Sequence, residues 1–398
     1  MNRSFSLRFL VTVVAFFTAA AVAITTMLFT YIIIPRREGI LFEYNQKMLE
    51  INELVQKHYI GEIDNNYMKD GLSYGYTLGL NDKYAAYIPY EEAEESLLNT
   101  FYGLNTGMGI QVAWHPDTQY MFVSDVHKDS PAYNAGIKPR DQVVKLDEYF
   151  VNEIGYEKSL AYIKTIPAGE KITAVILRDG EQLTLELTLT QYVAQSVFYE
   201  KIGDNGYILI TSFNDMTVDQ FTKAVDDLIE QNVSSLIFDL RGNGGGTLMS
   251  VYNMVDYLVP EGLVIKVDYK GDSMDETYLS DEHEINVPMV VLTDEHTASA
   301  SELFTQSLID FNKAVSIGRN TFGKGVVQRT FSLSDGSLVR FTVAKYYTAN
   351  GTCLDGIGVA PKVPVEWTEE EMKYRLVIDI EDDKDYKAAV NYLSGQLS

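Results

Sequence analysis

From residue 191 to residue 366 the sequence swings repeatedly between short apolar runs and stretches of helical period, and few folds can absorb that rhythm. Tyr207 to Phe213 is an apolar run of strand length, after which Val218, Phe221, Val225, Leu228 and Ile229 mark one face of a helix. Val233 to Leu240 is the next strand, followed by a glycine-rich turn and a helix over Leu248 to Leu258. Val287 to Thr293 is a third strand, followed by a loop and a helix over Ser299 to Phe311. Strands separated by helices demand right-handed crossovers, so the expected core is α/β, a mixed and largely parallel sheet with flanking helices. Sites in such sheets gather in the loops at the carboxyl ends of the strands. The two richest loops, 241–247 and 294–299, occupy that position.

The rest of the chain divides by period and charge. Phe9 to Ile34 is free of charge over 26 residues, between Arg3 and Arg8 on one side and Pro35-Arg36-Arg37 on the other. As a helix it would be about 39 Å long against a hydrocarbon core of about 30 Å. A cleaved signal has an apolar stretch of only about 7–15 residues, so residues 1–38 read as a cytoplasmic stub and a retained transmembrane signal anchor. That places a single-pass protein in the cell membrane with its body outside the cytoplasm. Residues 39–102 read as helical, from the spacing of Leu41, Tyr44, Met48, Ile51, Leu54 and Val55 and from apolar patches at 67–80 and 91–101. Residues 103–190 form a small, mostly β domain. There Leu183, Leu185, Leu187 and Leu189 alternate with polar residues, Ile172 to Leu177 is a second strand, and Arg178-Asp179-Gly180 turns between them. Ser130 to Gly136 suits a short helix closed by glycine. Residues 367–398 are charged and amphipathic, compatible with a dimerisation arm or a loose tail.

Charge and cysteine usage narrow the chemistry. The net charge is -24, from 32 Lys and Arg against 56 Asp and Glu. The first 38 residues carry four Arg and one Glu, so the acid lies in the body. Such a body is a poor partner for nucleic acid and for anionic lipid. Cys353 is the only cysteine and the five His show no ligand spacing, so neither a disulfide nor a metal or other cofactor is expected.

Three segments could carry chemistry. Arg241-Gly-Asn-Gly-Gly-Gly-Thr247 lies between a strand and a helix. It can be a tight βα turn or a backbone-lined anion or oxyanion site; a nucleotide loop fits poorly, because Thr247 stands where the third spaced glycine belongs and no P-loop lysine follows. Ser299 with Glu302 three residues on is an ordinary capping box. The less favoured reading of the segment alone is a nucleophilic serine at a helix start, where the Ala300 N–H could help hold an oxyanion. A nucleophilic serine needs a base. No histidine has an evident claim, although His296 is near in sequence. Lys324 in Thr321-Phe-Gly-Lys-Gly-Val-Val-Gln328 is either a solvated surface residue or, if burial lowers its pKa, a base of the Ser-Lys kind.

Taken together and in this order, the three segments resemble the carboxyl-terminal processing (tail-specific) serine peptidases. The family core reads approximately Asp-Leu-Arg-Asn-Asn-Pro-Gly-Gly, then Ser-Ala-Ser-Glu, then Thr-Phe-Gly-Lys-Gly-x-Val-Gln. This chain has Asp239 to Gly246, Ser299 to Glu302 and Thr321 to Gln328. The resemblance implies a serine endopeptidase with Ser299 as nucleophile, Lys324 as base, Gln328 orienting the lysine, and the N–H groups of Gly245 and Ala300 as oxyanion donors. Asp239, Arg241 and Glu302 match supporting positions. Residues 103–190 resemble a PDZ domain, with Gly107-Met108-Gly109-Ile110 as its carboxylate-binding loop and Ser130 to Asp141 as the family's SPAxxAGIKxGD stretch. The implied partners are protein or peptide substrates with free, unstructured and apolar C-termini, and relatives suggest homo-oligomerisation. A catalytically silent PDZ scaffold at the cell envelope is the rival reading. Departures from the pattern are Gly242 and Gly244 for Asn and Pro, Arg140 for a glycine, Ala349 and Lys362 for Pro and Asp, and Asn81-Asp82-Lys83 for a Leu-Asp-Pro-like stretch.

Overall fold

The computed structural model describes residues 12, 14, 17–26, 40–271 and 275–395. It forms two units, 1–69 and 70–398. Of the expected anchor over Phe9–Ile34, residues 12, 14 and 17–26 are described and helical, and the remainder lies outside the described residues. Among the described residues no helix is long and apolar enough to cross a membrane. The helical reading of 39–102 corresponds to α1 (Ile40–His58), α2 (Asn65–Leu78) and α3 (Tyr90–Tyr102), with a short strand β1 (Ala86–Ile88) between the last two.

The small β domain comprises β2 (Leu104–Gly107), β3 (Ile110–Trp114), β4 (Met121–Val126), α4 (Pro131–Ala135), β5 (Gln142–Leu146), β6 (Tyr149–Phe150), α5 (Val151–Ile154), α6 (Tyr156–Thr165), β7 (Lys171–Arg178), β8 (Glu181–Thr188) and β9 (Thr190–Val193). Its main sheet runs β3-β4-β5-β7-β8, antiparallel throughout, which leaves β3 at an edge. The β7–β8 turn is the expected one: Asp179 and Gly180 both have positive φ, +50° and +84°, as a two-residue hairpin of right-twisted strands requires. Ser130 caps α4 by accepting the Tyr133 N–H at 3.2 Å, and Gly136 at φ +83° closes it.

The core comprises β10 (Val197–Ile202), β11 (Asn205–Ile210), α7 (Asp215–Glu230), β12 (Ser235–Asp239), α8 (Leu248–Asp256), β13 (Gly262–Tyr269), β14 (Glu276–Ser280), β15 (Met289–Thr293), α9 (Ala300–Asp310), β16 (Ala314–Gly318), β17 (Val326–Ser332), β18 (Leu338–Thr348), β19 (Val363–Pro364), α10 (Glu369–Tyr374) and α11 (Lys384–Leu393). The central sheet runs β10-β11-β12-β15-β16-β19, parallel except for β10 with β11. Every residue of β12 and β15 is buried, as strands covered on both faces must be. On one face α7, α8 and α9 pack around Phe221, Phe238 and Phe304, with the Phe238 and Phe304 rings 5.3 Å apart.

Two features are not legible in the sequence. Residues 367–395 supply the opposite layer: Tyr386 and Ala389 of α11 pack on Ile237, Val290, Leu292 and Ile317. The sheet could not stay exposed there, so the segment completes the core and is not a loose tail. The other feature is a second, antiparallel sheet, β1-β18-β13-β14 with β17 on β18. Its β1–β18 and β13–β18 pairings join strands far apart in sequence, and a local period carries no information about such partners.

Candidate active site

The turn after β12 is built on buried charge. Asp239 ends the strand with 3% exposure and accepts from the Arg241 N–H at 3.0 Å and from Tyr207 Oη at 2.7 Å. Burial would push its carboxyl up, but the Arg241 guanidinium beside it outweighs that and holds it below the usual carboxylate range. Arg241 also reaches Asp383 and Asp385 of the C-terminal segment, at 2.7 and 2.8 Å. Removing one partner of such a cluster leaves an uncompensated buried charge.

Asn243, which the sequence marks only as a turn residue, organises the rest of the glycine turn. Its Nδ2 donates to the Ile210 carbonyl at 2.8 Å, and its own carbonyl accepts from Ala298 N–H and Ser301 Oγ–H, each at 3.0 Å. It therefore ties β11 and the serine loop to the glycine turn. Glycine is needed at 245 because a Cβ there would lie 2.7 Å from the Ala298 carbonyl and 2.9 Å from the Ala300 nitrogen, at φ +101°. Glycine is needed at 246 because a Cβ would meet the Phe213 carbonyl at 1.9 Å. The turn thus abuts the start of α9, as an oxyanion pocket requires. In this arrangement the Gly245 N–H donates to Asn243 Oδ1 at 2.8 Å. Ala300, at the first position of α9, has no intrahelical acceptor for its N–H.

Ser299 sits just before α9 with φ +59° and ψ -116°, a conformation that L-residues rarely hold and that marks strained functional sites. What holds it there is Glu302, fully buried. Glu302 Oε2 accepts the Ser299 N–H at 2.7 Å and the Lys324 N–H at 2.8 Å; Oε1 accepts the Thr321 hydroxyl at 2.5 Å and the Gly323 N–H at 2.7 Å. A single carboxylate thus joins the serine and lysine loops. Tyr346 Oη adds a second tie, 2.6 Å from the Lys324 carbonyl and 3.1 Å from that of Ser299. Both side chains, with Gln328, line a cavity of about 950 Å³.

Lys324 is half-buried, and burial together with the nearby Arg340 guanidinium pushes its ammonium below the usual lysine range, against the pull of Asp82 and Glu302. Its Nζ lies 4.5 Å from the centre of the Tyr84 ring. Among the described residues no hydrogen bond joins Ser299, Lys324 and Gln328 side chains to one another. The Gln328 amide lies instead 3.4 Å from Val326 O and from Thr342 Oγ1, beside an irregularity in the β17–β18 pairing. The geometry is a site with both loops in place and its lysine resting on an aromatic face. His296 is exposed beside Glu295 and takes no part.

Asp294, at the carboxyl end of β15, is a further centre. Fully buried, its Oδ1 accepts N–H groups of Gly242, His296 and Thr297 at 2.9, 3.0 and 3.0 Å, and its Oδ2 meets the Arg375 guanidinium at 2.9 Å. The Asp-x-x-Thr spacing of Asp294 and Thr297 is a turn signature that could have flagged it; Arg375 and Tyr84 carry no local signal.

The PDZ-like loop is held from behind. Ser130 Oγ and the His127 N–H donate to the Gly109 carbonyl at 3.2 and 3.0 Å, and the Ala132 N–H donates to the Met108 carbonyl at 2.8 Å. A Cβ on Gly109 would lie 2.1 Å from that of Ser130. Met108 is buried in the domain core, so only its backbone can serve a ligand, while Gly107 ends β2 and Ile110 begins β3. The edge of β3 is partly taken: Tyr156 Oη of α6 donates to the Val112 carbonyl at 2.9 Å.

Residues 204–365 match the profile of peptidase family S41 and residues 106–189 that of a PDZ domain. The chain is 32% identical over 345 residues to carboxy-terminal processing protease CtpA of Bacillus subtilis (strain 168), covering 86% of this chain and 72% of that one. It is 30% identical over 297 residues to a carboxyl-terminal-processing protease of Synechocystis sp., covering 73% and 69%. Among solved structures, a photosystem II D1 C-terminal processing protease shares the fold with TM-score 0.50 and 24% identity, over 86% of this chain and 92% of that one.

Proposed function

Because the chain belongs to peptidase family S41 and is a serine-type peptidase of the carboxyl-terminal processing kind, we propose that it cleaves proteins with unstructured, apolar carboxyl tails through a Ser299–Lys324 dyad. The observation that carries this is the shared Glu302 oxygen, which accepts the backbone N–H of both residues. Neutral Lys324 leaves the Tyr84 face and takes the Ser299 hydroxyl proton as Oγ bonds to the substrate carbonyl carbon. Charge developing on the carbonyl oxygen is met by the Ala300 N–H, and by the Gly245 N–H once Asn243 releases it. The C–N bond then breaks, Lys324 returns the proton to the leaving amine, and the same base activates water to free the acyl group. Gln328 steadies the lysine during transfer, and Asp239 and Arg241 hold the turn. Burial is what makes this base available, since each unit of pKa depression represents about 1.36 kcal/mol.

The PDZ domain is proposed to capture the tail carboxylate at Gly107–Ile110 and to add the peptide beside β3. Displacement of Tyr156 from Val112 by that strand and movement of Lys324 off Tyr84 together make a gated enzyme. The charge-free N-terminal run supports a membrane anchor with the catalytic body outside the cytoplasm, and self-association rests on the resemblance alone. A silent scaffold finds no support in a chain of this family with serine, lysine and glutamine in one cavity. The test is the full-length protein, with and without Ser299→Ala, incubated with an unfolded protein bearing an apolar tail and followed by mass spectrometry. Cleavage by the parent alone is expected. Equal cleavage by Ser299→Ala would overturn the nucleophile.

A further inference from the structure

The C-terminal segment touches both ends of the protease. At its start, Tyr374 Oη donates to Asp117 Oδ1 at 2.7 Å, in the turn between β3 and β4 of the PDZ domain. The next residue, Arg375, points the other way and pairs with Asp294 with 8% of its side chain exposed. Four residues further, Asp379 pairs with Arg140, again in the PDZ domain. The segment then folds back as α11 against the central sheet.

Two observations say that these contacts do more than cover the sheet. Asp294 ties Gly242, in the glycine turn, to the loop 294–299 that delivers Ser299, beside the Asn243 carbonyl that accepts the Ala298 N–H, and Arg375 at 2.9 Å is its nearer charge partner, with Arg319 at 3.9 Å. Moving Asp294 moves both halves of the oxyanion pocket. Arg140, in turn, holds φ +76°, a left-handed conformation that residues other than glycine rarely adopt. Glycine would hold that conformation freely, but glycine could not reach Asp379.

We propose that Arg375 is a positioning residue for the peptidase reaction, holding the Asp294 junction that aligns the glycine turn with the serine loop. Because Tyr374 and Asp379 on either side of it grip the PDZ domain, the alignment answers to how that domain is docked. This rests on the Ser299–Lys324 reading. Arg375 acts through Asp294.

The test uses the full-length protein and two substrates: a fluorogenic peptide amidated at its C-terminus, which offers the PDZ domain no carboxylate, and a protein with a free apolar tail. Arg375→Ala is expected to lower kcat on the amidated peptide about 100-fold with KM nearly unchanged, the size of effect that small misplacements of catalytic groups produce. Arg375→Lys, which can still donate to Asp294, is expected to recover much of it. Rates are taken per folded molecule, so a kcat unchanged on that basis would overturn the positioning role. Arg140→Gly with Tyr374→Phe relieves backbone strain while cutting both grips, so folding is retained. It is expected to reduce the ratio of tail-substrate to peptide kcat about 3- to 5-fold, the worth of two surface contacts. An unchanged ratio would overturn the dependence on docking. If Ser299→Ala also cleaves, the failure lies with the dyad and not with Arg375.

Discussion

Glu302→Gln is the sharpest single perturbation of this site. The buried carboxylate accepts four hydrogen bonds, three from backbone N–H groups and one from a hydroxyl. An amide replaces one oxygen with an NH2 group that can only donate. If NH2 takes the Oε2 position, it faces the N–H groups of Ser299 and Lys324 and leaves both unpaired. If it takes the Oε1 position, it faces the Gly323 N–H, and Thr321 Oγ, which already accepts the Val359 N–H at 2.7 Å, must turn to accept it. The second arrangement is the better one and still strands one buried donor and one hydroxyl proton. Each stranded group costs about 1–3 kcal/mol, so the loss of stability is expected at about 2–6 kcal/mol by denaturant titration. Activity is expected to suffer more than stability, because the two loops lose their common anchor; kcat/KM per folded molecule is expected to fall about 100-fold. A Glu302→Gln protein within 1 kcal/mol of the parent and retaining half its activity would refute the claim that this carboxylate joins the two loops.

Three further outcomes are expected from charges and contacts around the two sites. The rise of kcat/KM with pH tracks Lys324 losing its proton. Asp82→Asn removes an attraction to the ammonium and moves that limb to lower pH, while Arg340→Gln removes a repulsion and moves it higher; like-signed shifts in a pH–rate profile would contradict this. Asp125, pushed up to about 6 by burial and by Glu200, binds its proton more tightly folded than unfolded, so it adds stability at low pH that is lost as pH rises from about 4 to about 6. Asp125→Asn is therefore expected to stabilise the protein by about 1–2 kcal/mol at pH 7.5 and not at pH 4, as thermal melts at the two pH values would show. Tyr156→Phe frees the Val112 carbonyl and is expected to tighten binding of a tail peptide about 2- to 10-fold in fluorescence anisotropy, the worth of one hydrogen bond; weaker binding would mean that Tyr156 supports the groove.

Much of this protein is legible in its sequence because the signals are local. Strand length, helical period and glycine at tight turns are properties of a few adjacent residues, and they place loops 241–247 and 294–299 at the carboxyl edge of a largely parallel sheet. The elements β11, β12, β15, α7, α8 and α9 lie within a few residues of the positions that periodicity indicates. The capping-box spacing of Ser299 and Glu302 is visible too, but its larger consequence is not: the same carboxylate reaches residues 321–324, which no spacing could reveal. Likewise Asn243 takes the Gly245 N–H, Tyr84 shelters the Lys324 ammonium, and Arg375 meets Asp294 across 81 residues. Residues 367–395, polar and ambiguous when read alone, become the second face of the sheet because β12 and β15 cannot leave that face in water. The sequence alone determined which elements form and which residue types stand at their ends. Only the tertiary structure decided which of those ends share a carboxylate, because hydrogen bonds to a buried group select partners by distance in space and are indifferent to distance along the chain.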